Sequence, residues 1–193
     1  MNPEKRQLRQ RMLEKRRQLS DERIAKESHA VCESIKMEGD YRKARVVFAY
    51  IPFRNELDIR PLLKDAWNQG KRIVVPKSDP RSRKMTLIEI FHLQELEPGA
   101  YGILEPPEVP ERIVGPKEVD LAVVPLVAFD LSGYRLGYGG GYYDHFFARA
   151  GDHLVRMGVA YSFQQAASVF PEKHDQPLHI VVTPERVWRF AQT

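Results

Sequence analysis

Residues 121–147 read LAVVPLVAFDLSGYRLGYGGGYYDHFF, and this stretch decides the fold. It begins with an apolar run, Leu121–Val124, which stops at Pro125 and is typical of a buried strand. The aromatic segment Tyr142–Phe147 resumes with a helical pattern. Between them lies a loop rich in glycine: Gly133, Gly137, Gly139, Gly140 and Gly141. A strand, a glycine-rich loop and a helix in this order aim backbone N–H groups at an anion.

The spacing of the glycines leaves two interpretations open. The loop has neither the Gly-Lys-Ser/Thr ending of a Walker A motif nor the G-x-G-x-x-G pattern, so a tight structural turn is the alternative to a phosphate loop. Arg135 and Asp144 favour the phosphate loop. They supply the guanidinium and the carboxylate that a magnesium–phosphate site needs.

Composition indicates an ordinary globular protein. The 193 residues are 42% hydrophobic and 29% charged, which predicts a single domain over residues 1–193. No apolar run approaches the roughly 20 residues that span a bilayer, and the first residues are charged rather than signal-like. The single cysteine, Cys32, cannot form an internal disulfide and is expected to be a buried thiol. We therefore predict a cytoplasmic protein.

The N-terminal segment predicts a basic helix that begins with Asn2 as its cap and Pro3 as its first residue. Its apolar side is thin and consists of Leu8, Met12 and Leu19. Lys5 and Arg9 are four residues apart and therefore share a face from which they can reach a phosphate. Ordinary solvated side chains are the alternative. The net charge of +4 permits either a nucleic acid or an anionic small molecule as partner.

Residues 45–76 predict a βαβ unit with parallel strands. The strands are Arg45–Tyr50 and Arg72–Pro76, and the helix runs through residues 62–67. Ser20 caps a helix before this unit, and Gly39 ends that helix. Further strands are expected at Met85–Ile90, Val155–Ala160 and Ile180–Val182, and a short helix is expected over residues 163–167. Residues 97–117 are expected to be irregular. Trp188 and Phe190 are expected to pack the C-terminal tail against the body of the domain.

Three loops are expected at the carboxyl edge of this sheet, where ligands of open parallel sheets bind. They are PFRNELD (52–58), PKSDPRSRK (76–84) and PLVAFDLSGYRLGYGGG (125–141). One cysteine excludes a thiolate metal site, the six histidines lack metal-binding spacing, and no G-x-S-x-G is present. Asp144 and Asp175 remain as ligands for a hard cation, although each could instead be a cap or loop carboxylate.

Glu56 is a lone carboxylate in the loop after the first predicted strand. One carboxylate can accept two parallel N–H bonds, and the 2-amino and N3 edge of a pterin presents such a pair. The alternative is a residue that merely leads into the following helix.

The chain resembles the 5-formyltetrahydrofolate cyclo-ligase family, also called 5,10-methenyltetrahydrofolate synthetases. The matching motifs occur in the family's order: Lys5-x-x-x-Arg9, FRNELD, VVPK, YGILEP, RLGYGGGYYD and HDQPLHIVVT. The resemblance implies an α/β fold with three layers, α/β/α, and a mostly parallel sheet, as in sugar-phosphate isomerases and CoA transferases. It also implies conversion of 5-formyltetrahydrofolate to 5,10-methenyltetrahydrofolate with MgATP, through an N5 iminium phosphate, with release of ADP and phosphate.

The resemblance further implies roles for individual residues. Arg135 and Tyr143 are the catalytic residues, Glu56 and Tyr143 bind the folate, and Asp144 and Asp175 bind Mg²⁺. The residues implied to bind ATP are Lys5, Arg9, Arg135, Leu136, Gly137, Tyr138, Gly139, Gly140, Gly141 and Tyr142. Many members carry a basic residue where this sequence has Tyr138 or Gly140. The phosphate charge is then expected to be met by Lys5, Arg9, Arg135 or Lys77.

Two other functions compete with this prediction. A sugar-phosphate isomerase or CoA transferase on the same fold would give no role to the Tyr-Tyr-Asp after the glycines. An RNA-binding module would use the basic helix, but the sequence has no basic strand interleaved with aromatic residues. We therefore predict a monomeric cyclo-ligase that acts on a folate with ATP and Mg²⁺ and has no nucleic-acid or membrane partner.

Overall fold

The computed structural model describes residues 2–192 and has a mixed sheet of eight strands at its centre. The five central strands are parallel, and antiparallel strands extend the sheet at both edges. In spatial order the strands are β12 (Val187–Arg189), β11 (Ile180–Val182), β10 (Val155–Val159), β7 (Leu121–Pro125), β1 (Val46–Ala49), β2 (Arg72–Asp79), β3 (Lys84–Ile90) and β6 (Ile113–Val114).

Helices cover both faces of this sheet. The α-helices are α1 (Pro3–Arg17), α2 (Asp21–Met37), α3 (Gly39–Lys43), α4 (Arg60–Asn68) and α5 (Tyr142–Arg149). Ile35 of α2 and Leu62 of α4 pack on one face. Phe146 and Phe147 of α5 pack on the other, against Phe48 of β1. The predicted three-layer α/β/α fold with a mostly parallel sheet is confirmed. Within residues 2–192, no helix is both long enough and apolar enough to cross a membrane.

Two short hairpins lie outside the main sheet. One pairs β4 (Glu97–Pro98) with β5 (Leu104–Glu105), and the other pairs β8 (Ala128–Phe129) with β9 (Arg135–Leu136). The second hairpin follows the carboxyl end of β7 and forms the first half of the glycine-rich stretch. Helix α1 packs on it through Leu8 and Met12, which contact the Ala128 and Leu136 region in a separate apolar cluster. This contact fixes the basic helix beside the loop.

Several local predictions are confirmed. Asn2 caps α1, since its side chain accepts the Glu4 backbone N–H at 2.8 Å, and Ser20 caps α2. Strands β1 and β2 are parallel, as the βαβ prediction requires, and β3 is antiparallel to β2. Cys32 is buried, and this burial raises the pKa of its thiol to about 11.

Other local predictions are wrong. Helix α2 ends at Met37, and Gly39 begins the short α3 rather than ending a helix. A single 3₁₀ turn, Ser162–Gln164, replaces the helix predicted over residues 163–167. The stretch PKSDPRSRK is not a free loop, because β2 and β3 continue through it as a hairpin. The excursion over residues 97–117 is not wholly irregular, since β6 pairs with β3, and the tail forms the unpredicted strand β12.

Candidate active site

The candidate site lies beyond the carboxyl ends of β1 and β7, where their loops meet α1. Arg9 Nε donates to the carbonyl oxygen of Gly137 at 2.8 Å. Two turns further along α1, Arg16 Nε donates to the carbonyl oxygen of Arg54 at 3.1 Å. The side-chain amide of Asn55 returns a bond to the Arg16 carbonyl at 3.1 Å. Helix α1 therefore joins the loop that carries Glu56 to the glycine-rich loop.

The glycine-rich loop ends where α5 begins. Gly139 and Gly141 have φ angles of 103° and 73°, in the region that favours glycine. Within the described chain, no side chain caps the N-terminus of α5, so the first N–H groups of this helix have no side-chain acceptor. This geometry suits an anion.

Arg135 lies under this loop and is paired with Asp144. Its guanidinium is 3.0 Å from Asp144 Oδ1, donates to the Gln176 carbonyl at 2.9 Å and lies over the Phe147 ring. The backbone N–H of Gln176 donates to the same carboxylate oxygen at 3.0 Å. These bonds bring the segment that contains Asp175 to the start of α5, and so bring the two predicted magnesium ligands into one region.

Asp175 is held by Lys5 from α1. The Lys5 ammonium is 2.9 Å from Asp175 Oδ2, and the Glu172 backbone N–H donates to the same oxygen at 2.8 Å. Burial opposes ionisation of Asp175, but these two hydrogen bonds outweigh it and lower its pKa. Residues 2–192 contain no cluster of three or more His, Cys, Asp or Glu side chains that could hold a metal. Asp144 and Asp175 fit Mg²⁺ only together with phosphate oxygens and water, which is the usual ligand set of this ion.

Glu56 is buried, with 8% of its surface exposed. The Tyr138 hydroxyl donates to its Oε1 at 3.0 Å, and the Phe53 backbone N–H donates to its Oε2 at 2.9 Å. Burial raises the pKa of Glu56 to about 7, against the opposing effects of Arg16, Tyr138 and Phe53. The carboxylate is thus oriented by one donor on each oxygen rather than serving as a helix-entry residue.

Tyr142 and Tyr143, the remaining predicted aromatic residues, flank the start of α5. The Tyr142 hydroxyl is 2.9 Å from that of Tyr101, within the YGILEP segment. The Tyr143 ring meets Phe48 edge-on with the ring centroids 5.9 Å apart. Leu136 is buried against α1, so only its backbone can face a ligand.

The model of the 5-formyltetrahydrofolate cyclo-ligase family matches residues 1–184. The chain belongs to this family. A cyclo-ligase of Escherichia coli K12 is 35% identical over 149 residues, which cover 76% of this chain and 82% of that protein. The mouse cyclo-ligase is 26% identical over 191 residues, or 94% of each chain. The predicted family, and with it the enzyme class, is confirmed.

Solved structures agree with the cyclo-ligase assignment. The NMR structure of the Aquifex aeolicus 5,10-methenyltetrahydrofolate synthetase superposes with a TM-score of 0.85 at 35% identity and covers 98% of this chain and 94% of its own. A synthetase from Mycoplasma pneumoniae has a TM-score of 0.76 at 22% identity, with coverage of 93% and 98%, and supports the fold alone.

Arg16 also lies in the candidate site, although no motif of the sequence singles it out. Its side chain is only 2% exposed, and its guanidinium donates to the Tyr138 hydroxyl. A signal was present in the spacing, because Arg16 follows Leu8 and Met12 in steps of four along the buried line of α1. Leu19, which was assigned to that line, lies beyond the end of the helix and is half-buried.

A basic groove borders Tyr138. The groove has a volume of about 360 Å³. It is lined by five arginines with three other residues: Arg6, Arg9, Arg16, Arg17, Arg54, Gln10, Leu13 and Tyr138. Lys77, by contrast, donates to the Pro106 carbonyl at 3.2 Å and lies 3.9 Å from Glu105. Arg9 and Arg16, rather than Lys77, therefore supply positive charge beside Tyr138.

Proposed function

We propose that the protein converts 5-formyltetrahydrofolate to 5,10-methenyltetrahydrofolate in a reaction that needs ATP and Mg²⁺ and releases ADP and phosphate. Membership of the cyclo-ligase family supports the reaction. The observation that carries the proposal is the 3.0 Å hydrogen bond between Tyr138 and Glu56. This bond joins the glycine-rich loop to the buried carboxylate, so a phosphate on the loop and a pterin on Glu56 would be neighbours.

The basic residues of α1 and the start of α5 would hold the triphosphate. Lys5 and Arg9 contribute charge from α1, and the backbone N–H groups after Gly141 point toward the loop. Asp144 and Asp175 would hold the magnesium ion, which neutralises charge on phosphate oxygens when it is bound. Arg135 would stabilise the charge that develops on the transferred phosphoryl group.

Glu56 and Tyr143 would hold the folate. The ionised Glu56 carboxylate has lone pairs beyond those used by Tyr138 and Phe53 and can accept the 2-amino and N3 hydrogens of the pterin. Tyr143, whose ring meets Phe48 of β1 edge-on, is proposed to border the formyl group.

The reaction then needs alignment more than a protein nucleophile. The formyl oxygen attacks the γ-phosphorus and ADP leaves, which gives an N5 iminium phosphate. N10 attacks the same carbon, inorganic phosphate leaves, and N10 releases its proton. In-line geometry and charge neutralisation dominate the barrier of such a phosphoryl transfer. The residues assigned above supply these two effects.

The test of the reaction is the rise in methenyl-folate absorbance when purified protein is mixed with MgATP and 5-formyltetrahydrofolate. We expect a rise that requires both ATP and Mg²⁺. Asp144→Ala is expected to reduce it at least about a hundredfold, because the metal and Arg135 both lose a partner. His145→Ala, an exposed neighbour on α5, serves as the control and should retain activity. A folded protein that binds ATP but gives no rise would contradict the proposal.

Arg9 is expected to act on the nucleotide alone. Arg9→Gln should raise KM for ATP about tenfold, the effect of losing one charged hydrogen-bond donor, while KM for the folate changes less than about twofold. Arg11→Gln is the matched control, because Arg11 lies on the same helix with an exposed side chain. If KM for ATP rises equally in both variants, Arg9 has no specific role in binding the nucleotide.

We also propose that the protein works as a monomer without a nucleic-acid partner. Sedimentation would test the first statement, and RNA affinity that falls steeply with salt would contradict the second.

A further inference from the structure

Tyr138 lies in the glycine-rich loop, but its hydroxyl is hydrogen-bonded to residues outside this loop. Its hydroxyl accepts a hydrogen bond from Arg16 and donates one to Glu56 Oε1 at 3.0 Å. The Arg16 guanidinium also lies over the Tyr138 ring, 5.6 Å from its centroid. A donor that is itself polarised by a cation makes a stronger hydrogen bond. The three side chains therefore form a chain of hydrogen bonds that ends on the carboxylate.

Arg16 also holds the backbone that leads to Glu56. Arg54 and Asn55 have φ angles of 47° and 62°, in the left-handed region, which costs an arginine about 1 kcal/mol or more and an asparagine less. Arg16 Nε donates to the Arg54 carbonyl, and the Asn55 amide donates to the Arg16 carbonyl, each at 3.1 Å. The Tyr161 hydroxyl donates to the Asn55 carbonyl at 2.8 Å. These bonds offset the strain in the backbone and fix the direction in which the Glu56 side chain points.

We propose that Arg16 and Tyr138 are positioning residues that hold the Glu56 carboxylate in the orientation that accepts the folate ring, an inference that rests on the proposed function. Tyr138 would then serve the folate rather than the ATP phosphates, although it lies in the glycine-rich loop. The titratable and charged groups that interact with Glu56 come from α1, the residue after β1, the glycine-rich loop, α5 and the segment after β10: Arg16, Tyr50, Tyr138, Tyr143 and Tyr161.

The test compares Tyr138→Phe with the wild type by steady-state kinetics and by calorimetric binding of 5-formyltetrahydrofolate between pH 6 and 9. We expect KM and Kd for the folate to rise about tenfold, as for one hydrogen bond to a charged group, with kcat and KM for ATP within about twofold. Loss of the donor also disfavours the ionised carboxylate, so the acid limb of folate binding should move to higher pH.

Further variants distinguish a positioning role from a general loss of stability. Arg16→Lys keeps the charge but loses the planar fork, so it should weaken folate binding less than Arg16→Gln. Tyr41→Phe is the matched control, because the buried Tyr41 hydroxyl donates to Asp65 at 2.6 Å on α4, away from the site. This control should lower stability and leave the folate KM unchanged.

The outcomes separate this inference from the function on which it rests. If Tyr138→Phe raises KM for ATP and leaves folate binding unchanged, Tyr138 belongs to the phosphate site and the inference is overturned. If Glu56→Gln weakens folate binding but neither Tyr138→Phe nor Arg16→Gln does, positioning fails and the proposed function stands. If Glu56→Gln itself leaves folate binding intact, the assignment of Glu56 is wrong and both fall.

Discussion

Turnover at saturating ATP is expected to fall about a thousandfold when Arg135 is replaced by alanine, the lower end of the effect of a phosphoryl-transfer arginine. Arg135 lies in β9, directly before the run of glycines, and its side chain is paired with Asp144 and only 5% exposed. In such a site a fixed cation stabilises developing charge far more than in water. The measurement is kcat from methenyl-folate absorbance, with circular dichroism to show that the variant folds.

Two further variants make the Arg135 result interpretable. Arg135→Lys keeps the charge but cannot reach both Asp144 and the Gln176 carbonyl, so an intermediate loss of about tenfold to a hundredfold is expected. Arg149→Ala removes an exposed arginine from the far end of α5 and should have wild-type kcat. If Arg135→Ala has the kcat of the wild type, Arg135 does not take part in phosphoryl transfer.

Strands β1, β7 and β11 could be predicted because each is an uninterrupted apolar run. Strand β7, for example, is buried over Leu121–Val124 and stops at Pro125. Strands β12 and β6 could not be predicted in this way, since they have only three and two residues and are partly exposed. Such short strands are stabilised by pairing with an existing edge, and that pairing depends on contacts distant in sequence.

The residues of the candidate site also divide into those that the sequence could predict and those that it could not. Glu56, Arg135 and Asp144 could be proposed because they are polar residues at the ends of elements, where ligands of α/β sheets bind. The spacing of Arg16 after Leu8 and Met12 indicates a position on the buried side of α1, but it does not indicate a role in the site, since an arginine on a helix is ordinarily solvated. Its burial depends on the Arg54 carbonyl and the Tyr138 hydroxyl, which lie 38 and 122 residues away in sequence. Local pattern contains no information about such partners.

Replacing Glu56 with glutamine is expected to weaken folate binding at least about a hundredfold and at the same time to stabilise the folded protein at alkaline pH. Two charge-assisted hydrogen bonds to the pterin would be lost, each worth about 1.5 kcal/mol or more. The stabilisation has a separate cause. Burial raises the pKa of Glu56 from 4.5 to about 7, so ionising this carboxyl costs the folded state about 3 kcal/mol that the unfolded state does not incur.

The direction of the pKa shift of Glu56 determines the pH range in which Glu56→Gln is more stable than the wild type. A raised carboxyl pKa favours the folded state below pH 4.5, and this contribution is lost as pH rises to about 7. Glutamine stays neutral, so its advantage should be full above pH 7 and vanish near pH 4. The raised pKa already includes the opposing hydrogen bonds from Tyr138 and Phe53, so the advantage above pH 7 is about 3 kcal/mol, or about 6–12 °C in Tm.

Thermal unfolding of Glu56→Gln and wild type at pH 4 and pH 8.5, without ligands, checks this prediction. The exposed carboxylate Glu108 provides the control, since Glu108→Gln should change Tm by little at either pH. A Glu56→Gln protein that is less stable than wild type at pH 8.5 would mean that the ionised carboxylate is adequately solvated where it lies. A stabilised protein that has lost the folate would show instead that this carboxylate is retained for binding at the expense of stability.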